Sequence, residues 1–151
     1  MSQAPLTHDT PLRVRFGEID GMGIVYHPNY LSYMEMGRTE FMRDLGLSYR
    51  EVEDGGIRLV VADAGARYLK PARYDEQLVV RTRVHEVGRV RLSFRYEVCR
   101  GDDLLATGHT VLASTDHRGR LRRLPEGLLE LLGMKRGSSG VKEPPSRESD
   151  L

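Results

Sequence analysis

The stretch Asp20-Gly21-Met22-Gly23-Ile24-Val25-Tyr26-His27-Pro28-Asn29-Tyr30 decides how the rest of the chain is read. It holds a carboxylate, a flexible glycine turn and the start of a helix. Pro28 stands where a first helical residue would, because its fixed φ suits a helix and the N–H it lacks has no intrahelical partner there. Beyond it, Tyr30, Met34, Gly37, Phe41 and Leu45 recur at spacings of three and four and form one apolar stripe. A helix is therefore expected from about Pro28 to Asp44, with Gly46 as its C-terminal stop. The first turn of such a helix presents backbone N–H groups and about half a positive charge, a setting that binds anions. A carboxylate facing those donors can attack a carbonyl or activate water while the amides stabilise the oxyanion.

The sequence on either side alternates rather than following the helical period. Leu12, Val14 and Phe16 alternate with Arg13 and Arg15, which predicts a half-buried strand from Leu12 to Glu18 behind a loose leader, residues 1–9. After the helix, Ser48 to Asp54 reads as a short helix or loop closed by Gly55-Gly56. Four strand-like runs follow: Ile57 to Tyr68, Glu76 to Val87, Val90 to Arg100 and Leu104 to Asp116. Their junctions at Gly88, Gly101 and Gly119 fit hairpin turns. Gly65 reads as a bulge or kink. Gly37, costly inside a helix by roughly 1 kcal/mol relative to alanine, marks close approach to a sheet or simple tolerance. Pro125 opens a short helix from Glu126 to Leu132. Residues 134–151, rich in Ser, Gly, Pro and charge towards the end, read as a disordered tail. The domain is placed at 10–133. Periodicity alone gives an α+β domain with one major helix lying on the apolar face of an antiparallel sheet.

Composition narrows the function classes. The chain has 151 residues, 39% of them hydrophobic and 30% charged, which fits one globular domain. A formal net charge of +1 gives no bulk attraction to nucleic acid. The single cysteine, Cys99, excludes an internal disulfide and a cysteine-rich metal site and fits a reducing cytoplasm. The five histidines are scattered without paired ligand spacing, so no metal is expected. A Gly-x-Ser-x-Gly elbow and a phosphate-binding loop are both absent. No run is long and apolar enough for a membrane span, and the N-terminus lacks a signal-peptide pattern.

The run Asp20, Gly23, Ile24, Val25, Tyr26, His27, Tyr30 resembles the motif of the hotdog-fold acyl-CoA thioesterases. The resemblance is to the branch of the 4-hydroxybenzoyl-CoA thioesterases and the Tol-Pal-associated acyl-CoA thioesterases, and it covers residues 10 to 133. It implies an antiparallel five-stranded sheet wrapped around one long central helix, a homodimer or homotetramer, and hydrolysis of acyl-CoA without a cofactor. It also implies that Asp20 is the nucleophile or general base and that the backbone N–H of His27 is the oxyanion donor. Acyl-carrier-protein is a second carrier the resemblance leaves open.

The remaining site residues follow from position. Gly23 lets the backbone bend toward substrate, and Val25, Tyr26 and Tyr30 are candidate pocket residues, although aromatics at a helix start are more often core. Arg89 is a candidate for the CoA phosphates, with Arg91, Lys70 and Arg73 beside it, each otherwise an ordinary solvated cation. The His27 side chain is a helix cap, a substrate contact or a proton carrier. Glu35-Arg38 and Glu40-Arg43 are spaced as helix-surface ion pairs, and Glu18 is read as structural. Two other functions are weighed against hydrolysis: a hydratase or dehydratase of acyl thioesters, and a non-catalytic acyl-CoA or acyl-carrier-protein binding module.

Overall fold

The computed structural model describes residues 6–133. The elements in order are β1 (Thr7–Arg13), a short 3-10 turn (Phe16–Glu18), α1 (Asn29–Asp44), α2 (Tyr49–Asp54), β2 (Arg58–Tyr68), β3 (Gln77–Val87), β4 (Arg91–Arg100), β5 (Asp103–Thr115) and α3 (Glu126–Leu131). The five strands form one antiparallel sheet in the order β1-β3-β4-β5-β2. This is the expected α+β hotdog arrangement, with the sheet wrapped around α1.

The helix forms where its periodicity puts it. Pro28 caps it in helical conformation, and Tyr30, Tyr33, Met34, Gly37, Arg38, Phe41 and Met42 are buried along one side. That side lies on the apolar face of the sheet, against Leu78 and Val80 of β3, Leu92, Phe94 and Tyr96 of β4, and Leu105 and Leu112 of β5. Ser48 caps α2 by accepting the Glu51 amide.

Gly37 sets how closely helix and sheet approach. A Cβ at this position would meet Thr82 Oγ1 at 2.6 Å and Val80 Cγ1 at 2.8 Å. Of the two readings of Gly37, close approach is the one the packing bears out. Among the described residues the fully buried Thr82 hydroxyl has no hydrogen-bond partner.

Three local expectations are corrected. The first strand runs Thr7–Arg13 rather than Leu12 to Glu18, so residues 7–9 belong to the sheet and not to a leader. Its register comes from pairing with β3, with Asp9 opposite Arg81 and a two-pronged contact between them at 2.9 and 3.2 Å. Phe16 is 73% exposed and meets the Tyr74 ring edge-on instead of continuing a strand. Pro11 is tolerated because β1 is an edge strand. The irregularity in β2 falls between Val61 and Asp63, not at Gly65. Gly65 instead makes room for the His109 ring, whose Cε1 lies 2.6 Å from where a Cβ would stand. The Glu35-Arg38 surface pair does not form, because Arg38 is buried, whereas Glu40 and Arg43 do pair. The expected tail, residues 134–151, lies outside the described residues.

Gly37→Ala forces helix and sheet apart and is expected to lower unfolding stability by about 1–3 kcal/mol. Thr82→Val removes a buried hydroxyl that bonds to no described residue and is expected to be neutral or stabilising. Urea unfolding of both variants checks this pair, and an equal loss in Thr82→Val would show that the hydroxyl is needed.

Candidate active site

The segment before α1 is a small hairpin fastened to the end of the sheet. Ile19 pairs with Val25, the Asp20 amide donates to the Ile24 carbonyl at 2.8 Å, and the Tyr26 amide donates to the Glu18 carbonyl at 2.9 Å. Outward, the Val25 amide donates to the Ala72 carbonyl at 2.8 Å, and Ile24 pairs with Arg73, which clips the hairpin to the β2–β3 connection. Gly23, at φ +79°, supplies the left-handed residue that closes the turn.

Asp20 is half-buried at the neck of this turn. Its Oδ1 accepts the Met22 amide at 2.8 Å, with the Ile24 amide further off at 3.5 Å. Its Oδ2 accepts no hydrogen bond from the described residues. One oxygen therefore does the ordinary work of an aspartate in a turn, and the other is without a partner among the described residues.

Across residues 26–31, hydrogen bonds to described residues account for every backbone N–H but one. The Asn29 amide donates to the Tyr26 carbonyl at 2.9 Å, Tyr30 to His27 at 3.2 Å, and Leu31 to Pro28 at 3.1 Å. Tyr26 is spent on Glu18, and proline has no N–H. Among the described residues, the His27 N–H donates to nothing. Because the Tyr26–His27 peptide is planar and trans, holding its carbonyl in the helical turn aims its N–H the opposite way. The next peptide is held too, since the His27 carbonyl also accepts the Tyr68 hydroxyl at 3.0 Å.

Glu18 ties hairpin to helix. Its carboxylate accepts the Arg15 amide at 2.8 Å and the Tyr33 hydroxyl of α1 at 3.0 Å. Its carbonyl accepts the Asn29 side-chain amide at 2.8 Å. Burial works to raise the Glu18 pKa, but the hydrogen bonds from Arg15 and Tyr33 outweigh it and hold the carboxyl below its ordinary value. Tyr33, buried against this carboxylate, is pushed far above the usual phenol range.

The expected residues divide by position. Asp20, Gly23, Tyr26 and His27 lie together at the surface of the hairpin and helix start, Tyr26 being 50% exposed. Val25 and Tyr30 share the segment, but their side chains are buried in the core, Tyr30 between the rings of Tyr33 and Tyr68. Arg89 sits in the β3–β4 turn, at the opposite end of β3 from the hairpin, and Arg91 begins β4 beside it. Arg73 is exposed next to Ile24, and Lys70 is paired with Asp103 at 3.0 Å. Three contributors escape the sequence reading of the site: Tyr68, Asn29 and the tethering role of Glu18. Asn29 stands directly after Pro28, where a capping side chain is an available signal. Nothing local marks Tyr68, which reaches the helix start only through the fold.

A pKa lowered on folding gives stability that is present above the unfolded value, 4.5 for Glu18, and is lost as pH falls through the lower folded value. Glu18→Gln is therefore expected to flatten part of the acid limb of a stability-against-pH curve and leave the neutral limb's shape unchanged. Thermal unfolding from pH 3 to pH 8 checks this, and an unaltered acid limb would contradict it.

A sequence profile of the thioesterase-like superfamily matches residues 14–132. The acyl-CoA thioesterase YbgC of Haemophilus influenzae is 31% identical over 107 residues, 70% of this chain and 79% of that protein. A solved structure from Aquifex aeolicus, described as a hypothetical protein, superposes with a TM-score of 0.80 at 34% identity, covering 83% of this chain and 98% of that one. The DHNA-CoA thioesterase of Staphylococcus aureus superposes with a TM-score of 0.76 at 32% identity, covering 78% and 80%. With the five-stranded wrap around α1 and the hairpin at its start, these likenesses give one answer: the chain belongs to the thioesterase-like superfamily and is a hotdog-fold thioesterase.

Proposed function

We propose that the chain hydrolyses acyl-CoA thioesters, of short or medium aliphatic or of aromatic acids, to the free acid and CoA. The observation that carries this reading is the unpartnered His27 N–H, held outward at the helix start on the same clipped hairpin as the Asp20 carboxylate. The thioester carbonyl oxygen sits against that N–H, where the helix dipole adds to the stabilisation of developing negative charge. Asp20 Oδ2 either attacks the carbonyl carbon, giving an anhydride that water then opens, or takes the proton of an attacking water. In both routes one water is consumed, the C–S bond breaks, and the thiolate leaves to be protonated as free CoA. Thioesters on acyl-carrier-protein present the same phosphopantetheine arm and suit the same site.

The hairpin is open to solvent on one side, with Gly21, Met22 and Gly23 all exposed. The edge strand β2 also leaves Val60 and Val61 exposed at 42% and 54%, a long apolar edge of the kind proteins cover. A second copy pairing along β2 covers that edge, and this is the support for a homodimer.

Asp20→Asn keeps the shape of the turn and removes the charge. Thiol release from a panel of acyl-CoA thioesters is expected to fall on the order of 10²-fold or more in this variant, with folding intact. Turnover near wild type would take Asp20 out of the chemistry. Glu35→Gln and Glu40→Gln are expected to stay close to wild type, and a collapse in either would move the base onto the helix.

A further inference from the structure

Arg38 lies ten residues beyond the helix cap and is only 6% exposed. Its Nε donates to the Tyr49 hydroxyl at 2.6 Å, and its Nη1 to the Tyr96 hydroxyl at 3.3 Å, with Thr110 Oγ1 at 3.5 Å. All three partners are neutral. Burial pushes the Tyr49 hydroxyl up to about 12 and raises that of Tyr96. Nη2 donates to no described residue. A buried guanidinium stays charged and is costly when no anion faces it, so this one is held by phenols with part of its donor fork unused.

Arg38 lines a cavity of about 320 Å³, whose walls include Tyr49 and Val52 of the α2 segment and Leu59 of β2. Glu35, Glu53 and Arg58 also line it, but all three are exposed. Glu35 acts on the Tyr49 and Tyr96 hydroxyls, but of the four charged residues lining the cavity only Arg38 is buried.

The same two elements flank this cavity and the candidate active site. The helix that follows the His27 amide carries Arg38 nine residues after Asn29, about 14 Å along its axis at ~1.5 Å per residue. Tyr68 at one end of β2 holds the His27 carbonyl, and near the other end Leu59 lines the cavity together with Val60, which stands on the edge that a second copy pairing along β2 would cover.

We propose that this cavity receives the far end of the acyl group and that Arg38 selects acyl groups ending in a carboxylate, so that the favoured substrates are CoA thioesters of dicarboxylic acids. A carboxylate is the acceptor that best matches an unused guanidinium fork. Arg38 is then a specificity-determining residue, with no part in bond breaking. The inference rests on the thioesterase reading for the chemistry at the other end of the chain.

Hydrolysis is measured on straight-chain acyl-CoA thioesters and on ω-carboxy and ω-hydroxy analogues of matched length. For wild type, kcat/KM is expected to be on the order of tenfold higher for the best ω-carboxy thioester than for its plain counterpart, the discrimination of one charge-assisted hydrogen bond. Arg38→Met is expected to abolish that ratio, and Arg38→Lys to keep part of it. Parity between plain and ω-carboxy chains in wild type overturns the proposal without reference to any variant. So does a preference that survives in Arg38→Met, or an equal preference for the ω-hydroxy chain. A merely structural role for Arg38 would lower all rates together and leave the ratio unmoved. If wild type hydrolyses no thioester at all, the thioesterase reading fails by itself. Calorimetric titration of wild type with free dicarboxylic and monocarboxylic acids then decides the inference separately: selective binding of the diacid supports it, and no selectivity overturns it.

Discussion

The candidate site depends on one residue that has no part in its chemistry. Glu18 accepts from Arg15 and Tyr33 through its carboxylate and from Tyr26 and Asn29 through its carbonyl. These bonds lock the hairpin carrying Asp20 to the first turns of α1, so the turn carboxylate and the free His27 amide sit in one rigid piece. A site that is already in place loses no binding energy to ordering it. This suits a reaction in which electrostatic positioning supplies most of the acceleration.

That rigid piece is useful only if α1 itself is fixed, and the sheet does this by close approach. Gly37 lets the helix settle onto Val80 and Thr82. On β5, two strands across the sheet from β3, Gly108 leaves room for the end of the Met34 side chain, which a Cβ there would strike. A central helix packed this tightly has little freedom to slide along its axis, because interiors are close-packed and feel the displacement of single groups. The N-terminal turn is therefore held from below by packing and from the side by Glu18, Tyr68 and the Ala72 clip.

Legibility in the sequence follows how local each cause is. Pro28, the stripe from Tyr30 to Leu45 and Gly46 are local causes, and α1 lies within a residue of where they place it. Gly88 and Gly101 likewise mark hairpins that form between β3 and β4 and between β4 and β5. Alternation misplaces the first strand because its bounds follow from pairing with β3, about 70 residues further along the chain, which takes in Thr7 to Arg13 and leaves out Val14 and Phe16. Charge and spacing alone make Arg38 a surface partner of Glu35. Its place in the pattern says otherwise: it stands four residues after Met34 and three before Phe41, on the buried stripe. Asp20 and the His27 amide are legible as candidates. The isolation of that amide is not, since it emerges only once the neighbouring amides have found partners.

The central claim is that the His27 N–H receives the thioester oxygen while Asp20 faces the carbonyl carbon. A crystal structure of the Asp20→Asn variant with a slowly hydrolysed acyl-CoA tests it most directly. The thioester carbonyl oxygen is expected at about 2.9 Å from the His27 nitrogen, with the substituted side chain at position 20 on the open face of the carbonyl. A thioester bound elsewhere, or one whose oxygen is held by other donors while the His27 amide faces solvent, would contradict it.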